Sequence, residues 1–550
     1  MKRLGDVLLD EGIINPQQLE LCLQEQKRTG ELLGNVLIRL GMVTRKDLAR
    51  AMAYSADLPF VDLKQTHIDP NAINLVPHEV AKKYKLIPFA MHDNTIRVAM
   101  DNPTDVVAID VLRRRTRRTI EIWASDLESI MELIEIYYEV GTSIEDEIDK
   151  NVAAALSGGI AEGEVAPPVV RMVELILIKA IRDGATDVHI TPEESITRVS
   201  YRIDGIVRRG FLLPKQVHIP LVTRIKVMGT MNIAEQRLPQ EGNISFEFSG
   251  RVIDIRSSTS PTDDGENVVL RILDKANIVL GLDHLGFGEL TKTAIRRLAK
   301  KPHGILLAAG PTGSGKTTTL YSMLREINAL ERNILTIEDP IEYRLPLIKQ
   351  TQVNEQAGLT FSRAIRHFLR QDPDILLVGE IRDLETAKIA FQAAMTGHLV
   401  LSTIHTNDAT STIARLLDLG VEPYLIPTSL RAVVAQRLLR RLCQECAEEY
   451  VPGAEELEEY GLQDWSGAGR SIKRAKGCSE CDNTGYRGRT GVFEIFEVTP
   501  HMSRLISEKA SADVLFVEAV QEGMVSMQQD GLLKVLEGQT ALEEVFRVTA

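Results

Sequence analysis

Apolar residues recur along this chain with more than one period, and the changes of period mark its modules. The run RLGDVLLDEGIINPQQLELCLQEQ starts at Arg3 and is echoed by LLGNVLIRLGMVTRKDLARAMAYS from Leu32, with Gly5 matching Gly34, Gly12 matching Gly41 and Leu19 matching Leu48. Each copy has helical periodicity that stops at its second glycine. A cap then restarts it, Asn15-Pro16 with Gln18 in the first copy and Thr44 with Asp47 in the second. The bundle gives way to mixed patterns, with IRVAM at 96–100 predicted as a strand and 126–140 as a helix. NVAAALSGGIAEGEVAPP is small, glycine-rich and ends in proline, so the segment 146–168 is expected to be a linker. An amphipathic helix ending at Gly184 follows, and then period-two alternation. SYRIDGIVRRGFL predicts a hairpin turning at Asp204-Gly205, and NISFEFSG, RVIDIRSSTS and NVVLRIL predict further strands. Beyond residue 280, GILLAAG, NILTIED, DILLVGE and HLVLSTI are short apolar runs, separated by polar or helical stretches. That is the pattern of a parallel sheet buried on both faces.

The expected organisation is an N-terminal regulatory or docking domain over 1–145, the linker, a small α+β domain over 169–275, and an α/β domain over 280–550 with a cysteine-bearing subdomain at 440–490. Composition changes this picture little. At 550 residues the chain is long enough for about three domains. The net charge of −13 disfavours global, non-specific binding to nucleic acid. The exception is the short basic stretch RRRTRR at 113–118. No apolar run reaches the roughly 18 residues of a spanning helix, and the first residues do not read as a secretory signal. The expected location is therefore cytoplasmic, with any membrane contact made through partners.

The chemistry concentrates in the last module. Gly310, Pro311, Thr312, Gly313, Ser314, Gly315, Lys316 and Thr317 form a complete phosphate-binding loop between a predicted strand and a predicted helix, with Thr318 next on that helix. Its backbone N–H groups and helix N-terminus suit polyphosphate, Lys316 the β- and γ-phosphates, and Thr317 a Mg²⁺ ion. Two acidic clusters end neighbouring apolar runs, Glu338 with Asp339 and Glu342, and Glu380. Either glutamate can orient water or hold Mg²⁺ through water, and the residues alone leave the general base open. GHLVLSTIHTND places His398 before one strand and His405 after it. If that strand neighbours the loop strand, His405 can sense the γ-phosphate; a buried structural role is the alternative for either histidine. Cys443, Cys446, Cys478 and Cys481 are two C-x₂-C pairs, a strong signal for a closed tetrathiolate site with Zn²⁺ as the default ion. Cys22 falls in an apolar helical pattern and reads as a core filler.

Taken in order, the phosphate loop, TIEDPIEY at 336–343, LLVGEIRD at 376–383, GHLVLSTIHTN at 397–407, the four cysteines and the tail DGLLKVLEGQTALEEVFRVT resemble the assembly ATPases of type IV pili and their relatives in type II secretion. The resemblance implies a RecA-like ATPase domain, a small PAS-like middle domain and a regulatory N-terminal domain. It implies ATP with Mg²⁺, a homo-hexameric ring, and work delivered through an inner-membrane platform protein and accessory pilus or secretion proteins, with no direct nucleic acid. It assigns Glu338 to water activation and Glu380 to the metal side, and Arg256 and Arg271 to the nucleotide from the small domain. Pilus assembly and type II secretion both fit, and the N-terminal repeat leans toward the pilus. The competing readings are a nucleic-acid translocase using the tetracysteine unit on DNA and a purely regulatory nucleotide-binding scaffold.

The repeat also resembles the paired motif of a cyclic-di-GMP-binding domain. The first copy carries Arg3, Leu4, Gly5, Gly12, Leu19, Leu23 and Gln26. The second has Leu32 where arginine would stand and Ser55 where glutamine would stand. Weak binding or none is expected, with a docking bundle for another protein as the other reading. PQEGN at 239–243 departs from the aspartate-glycine-arginine usual in relatives and removes a positive charge.

Overall fold

The computed structural model describes residues 4–549 apart from 56–57, 64–65, 67, 93, 135–136, 139–143, 158–165, 249–250, 274–280, 328–330, 464, 466 and 468. The chain divides into two compact units, Met1–Lys275 and Ala276–Ala550.

The first unit opens with the repeat. Helices Leu4–Asp10 and Leu33–Arg39 each end before a glycine with positive φ, Gly12 and Gly41. Asn15 caps the helix Pro16–Thr29 in a reciprocal box with Gln18, and Thr44 and Asp47 exchange hydrogen bonds at the start of Arg45–Ser55. Val7, Leu8, Cys22, Val36 and Leu37 are buried together, so Cys22 is a core filler. Gly5 packs on Leu19 and Gly34 on Leu48, so the two copies solve the same close approach in the same way. A three-stranded sheet follows, in the order Leu86–His92, Thr95–Met100, Thr119–Ala124. The basic stretch 113–118 ends the helix Val106–Thr116, where arginines complement the negative end of the helix dipole.

The linker expectation needs correction. Ile144–Ser157 is a helix that buries Ile144, Ile148 and Ala155. Alanines are the best helix formers, and a few large apolar residues suffice to seat one face. The two prolines fall at the start of the helix Pro167–Arg182, where a missing N–H costs nothing. Residues 158–165 of the expected linker lie outside the described residues. Beyond Gly184 comes a six-stranded antiparallel sheet in the spatial order 206–214, 196–203, 185–192, 265–273, 251–262, 240–248. Asp204 and Gly205 turn the hairpin between strands 196–203 and 206–214 with φ of 49° and 83°, the mirror-image turn that strand twist favours.

The second unit is built on a seven-stranded sheet in the order 349–352, 334–338, 375–378, 399–404, 304–309, 430–442, 486–497. The first six strands run parallel and the last antiparallel. All four apolar runs read from the sequence are strands, and those at 304–309, 334–338, 375–378 and 399–404 are buried throughout. Helices cover both faces, giving two apolar layers. The strands Leu430–Leu442 and Tyr486–Glu497 were not anticipated.

A candidate nucleotide site with a tetrathiolate neighbour

Parallel strands deliver their carboxyl ends to one edge of the sheet, where α/β folds bind ligands. Strand Gly304–Ala309 sits between its parallel neighbours Leu399–Ile404 and Leu430–Leu442, so the phosphate loop emerges beside His405 on one side and Gln436 on the other. The register aligns Ala309 with Ile404, which puts His405 level with Gly310. Gly310, Gly313 and Gly315 have φ of 146°, 79° and 90°. A Cβ at Gly310 would lie 2.6 Å from the Gln436 carbonyl, so only glycine fits there. The helix Lys316–Glu326 starts directly after the loop. Lys316 folds back across the loop, donating to the carbonyls of Gly310 and Pro311 at 2.9 Å each. Burial, with Arg437 nearby and Glu380 opposing, brings its ammonium down to about 8.

Glu380 and His405 converge on this lysine. Glu380 is 8% exposed and follows the strand Ile375–Val378. One of its carboxylate oxygens lies 2.6 Å from Arg382 Nε and 3.7 Å from His405 Nε2. Burial, with Lys316 and Arg382 close by, holds the His405 imidazole below its ordinary range despite Glu380, so it is neutral near pH 7. The rest of GHLVLSTIHTND has a defined place. Ser402 Oγ donates to the Val378 carbonyl and Thr403 Oγ1 to the Gly379 carbonyl, both at 2.7 Å, anchoring the turn that carries Glu380. Asn407 accepts from Arg437 at 3.3 Å. His398 bonds the Ala393 carbonyl through Nδ1 at 2.9 Å at the other end of the strand, a structural role.

Glu338, on the neighbouring strand and level with Gly379, has its own set of hydrogen-bond partners. It is 3% exposed at the end of strand Ile334–Glu338. Tyr321 donates to one oxygen, while Thr336 at 2.5 Å and Gln350 at 3.1 Å donate to the other. Tyr321 is on the helix that starts at Lys316, so the candidate base is tied to the phosphate-loop helix through a phenol. Sequence reasoning passed over Tyr321, Gln350 and Gln436, since no phosphate-loop motif contains them.

The four cysteines meet as expected. Their sulfurs all lie within 4.8 Å of one another, with Cys443–Cys478 at 3.9 Å and Cys446–Cys481 and Cys478–Cys481 at 3.8 Å. Tetrahedral zinc with Zn–S bonds of about 2.3 Å requires sulfur edges of about 3.8 Å, so the donor set fits that ion. Burial opposes a thiolate at Cys481, but N–H groups of Cys478 and Gly485 aimed at its sulfur bring it down to about 7. Cys443 directly follows the strand Leu430–Leu442.

Arg256 and Arg271 belong to the first unit. They pair across adjacent strands, in one row that runs Arg202, Asp187, Arg271, Arg256, Asn243 across five strands. Directly paired residues share a face. Arg271 Nε bonds Asp187 Oδ1 at 2.9 Å and Arg202 Nε lies 3.6 Å from the other oxygen. His189, two residues along from Asp187, is held below its ordinary range by burial and by Arg202 and Arg271, with Asp187 opposing. The row is electropositive.

The type II/IV secretion system protein family model matches residues 162–547, and an MshEN domain model matches 56–144. The type IV pilus assembly ATPase PilB of Myxococcus xanthus is 40% identical, covering 100% of this chain and 99% of that protein. The type II secretion system protein E of Xanthomonas campestris pv. campestris is 38% identical, covering 100% and 98%. The fold is shared with the Legionella pneumophila ATPase DotB, at TM-score 0.51 and 20% identity over 69% of this chain and 95% of that one. With its phosphate loop, acidic residues and histidine assembled as above, the chain belongs to the type II/IV secretion system protein family and is one of its ATPases.

Proposed function

We propose that this ATPase powers type IV pilus assembly, as a hexameric cytoplasmic ring that acts on an inner-membrane platform protein. The observation that carries the reading is end-to-end similarity to a pilus assembly ATPase, N-terminal region included. Type II secretion is the second reading, favoured by a relative matched over the same length. Deleting the gene in its native host separates them. Loss of surface filaments with intact protein secretion supports the first reading, and the converse supports the second.

In the proposed chemistry the loop 310–317 and Thr318 bind the polyphosphate, with Thr317 as the Mg²⁺ ligand. Glu380, beside Lys316 and His405, serves the metal side, and His405 in its neutral form reads the γ-phosphate. Glu338 accepts the proton of attacking water once Tyr321 and Gln350 release part of its carboxylate. Arg256, and Arg271 in the grip of Asp187, stabilise charge on the γ-phosphate in this reading. Zn²⁺ on the four cysteines is structural, since a closed tetrathiolate has no ligand position for substrate. Glu380→Gln and Glu338→Gln are expected to retain ATP binding and lower kcat by about 100-fold or more. A Glu338→Gln variant with normal turnover moves the general base elsewhere.

A further inference from the structure

The phosphate loop is clamped from outside by one buried side chain. Gln436 lies one residue past Ala435, which pairs with Ala309, so it is level with Gly310 where the chain leaves the sheet. It is 2% exposed. Its Nε2 donates to the Ser314 carbonyl at 2.6 Å. A carbonyl only accepts, which dictates the orientation of the amide. Gln436 abuts the loop twice more, with its own carbonyl against Gly310 and its amide nitrogen 3.0 Å from where a Cβ of Gly315 would stand. The Gln436 Oε1 atom has no hydrogen-bond partner among the described residues, so the amide is held by the loop and not by a wider network.

That bond bears on phosphate binding. The Ser314–Gly315 peptide is trans, and in a trans peptide C=O and N–H point in opposite directions. Drawing the Ser314 carbonyl toward the strand turns the Gly315 N–H the other way. Gly315 caps the helix Lys316–Glu326, and the N–H groups at such an end attract anions. We propose that Gln436 is a positioning residue that sets the Gly315 N–H for the phosphates of a bound nucleotide. The proposal rests on the ATPase assignment.

The test compares the full-length wild type with Gln436→Met and Gln436→Glu. The first removes the donor at similar length, and the second replaces it with a carboxylate that can donate only when protonated. Binding of ADP and of a non-hydrolysable ATP analogue is titrated, and KM and kcat are measured. In Gln436→Met, nucleotide Kd and KM rise about five- to tenfold, the worth of one hydrogen bond, while kcat carries the smaller change. Gln436→Glu is weaker still at neutral pH and recovers relative to Gln436→Met as the pH is lowered. Unchanged Kd in Gln436→Met, or a fall in kcat at constant KM, overturns the proposal. Identical pH trends in both variants do the same. Should Gln436→Glu fail to fold, Gln436→Met decides alone. A wild type that binds neither nucleotide would instead overturn the ATPase assignment, and the two failures are distinct.

Discussion

Lys316 shows how much one residue's surroundings change its behaviour. Its folded pKa of about 8 lies below the ordinary lysine value, so between about pH 8 and 10.5 the unfolded chain binds more protons than the folded one. From this group, the nucleotide-free protein therefore gains stability as pH rises through that window. Polyphosphate restores the ammonium, so nucleotide binding above pH 8 takes up a proton and weakens as pH rises further. Calorimetry in two buffers of different ionisation enthalpy is expected to show the uptake at pH 8.5 and little of it at pH 6.5. Lys316→Ala is expected to lose most nucleotide binding in the same titration and to show no proton uptake. At this scale the site was half legible. Lys316 announces itself through the phosphate-loop motif, and Glu338, Glu380 and His405 by standing at the ends of apolar runs. Tyr321, Gln350 and Gln436 do not, because each reaches its partner across elements and their own neighbours in sequence carry no chemistry.

Elements were legible where local rules suffice. The Asn15–Gln18 box, the Asp204-Gly205 turn and the four apolar strands follow from caps, turn chemistry and burial. The strands Leu430–Leu442 and Tyr486–Glu497 did not, since VVAQRLLRRLC mixes apolar and basic residues without strand alternation and its partner begins more than forty residues later. Glu494, on the second of these strands, is expected to be a stabilising element tie. It is 2% exposed and accepts from the N–H groups of Ala409 and Met527, joining the turn after His405 to the helix Met527–Leu536. Burial and the nearby Asp408 push its carboxyl up, against those two bonds. Glu494→Ala leaves two N–H groups unpaired beside a cavity and should cost about 2–4 kcal/mol, with Glu494→Gln costing less. Urea unfolding of the two variants measures this, and equal stability to wild type would remove Glu494 from that role.

For the whole molecule, metal content and second-messenger binding are the informative measurements. One zinc per chain is expected by elemental analysis of reduced protein. Cys478→Ser should lose it and lower the thermal midpoint, because four thiols brought within 4.8 Å otherwise crowd without a common ligand. Calorimetry of the full chain with cyclic-di-GMP should show weak binding or none. Leu32 is 75% exposed and brings no donor where an arginine is needed, and Arg3 lies outside the described residues. Submicromolar binding lost in Arg3→Ala would reverse that expectation. The strand order of the second unit carries a consequence for biosynthesis. The phosphate-loop strand at 304–309 is flanked by 399–404 and 430–442, so neither neighbour exists when it leaves the ribosome. Roughly ninety residues must be added before the first arrives, about 5–20 s at ordinary elongation rates, and the sheet is not closed until 486–497 follows. An entirely apolar strand waits unpaired through that interval, so the nascent ATPase unit exposes apolar surface while its sheet is still being translated.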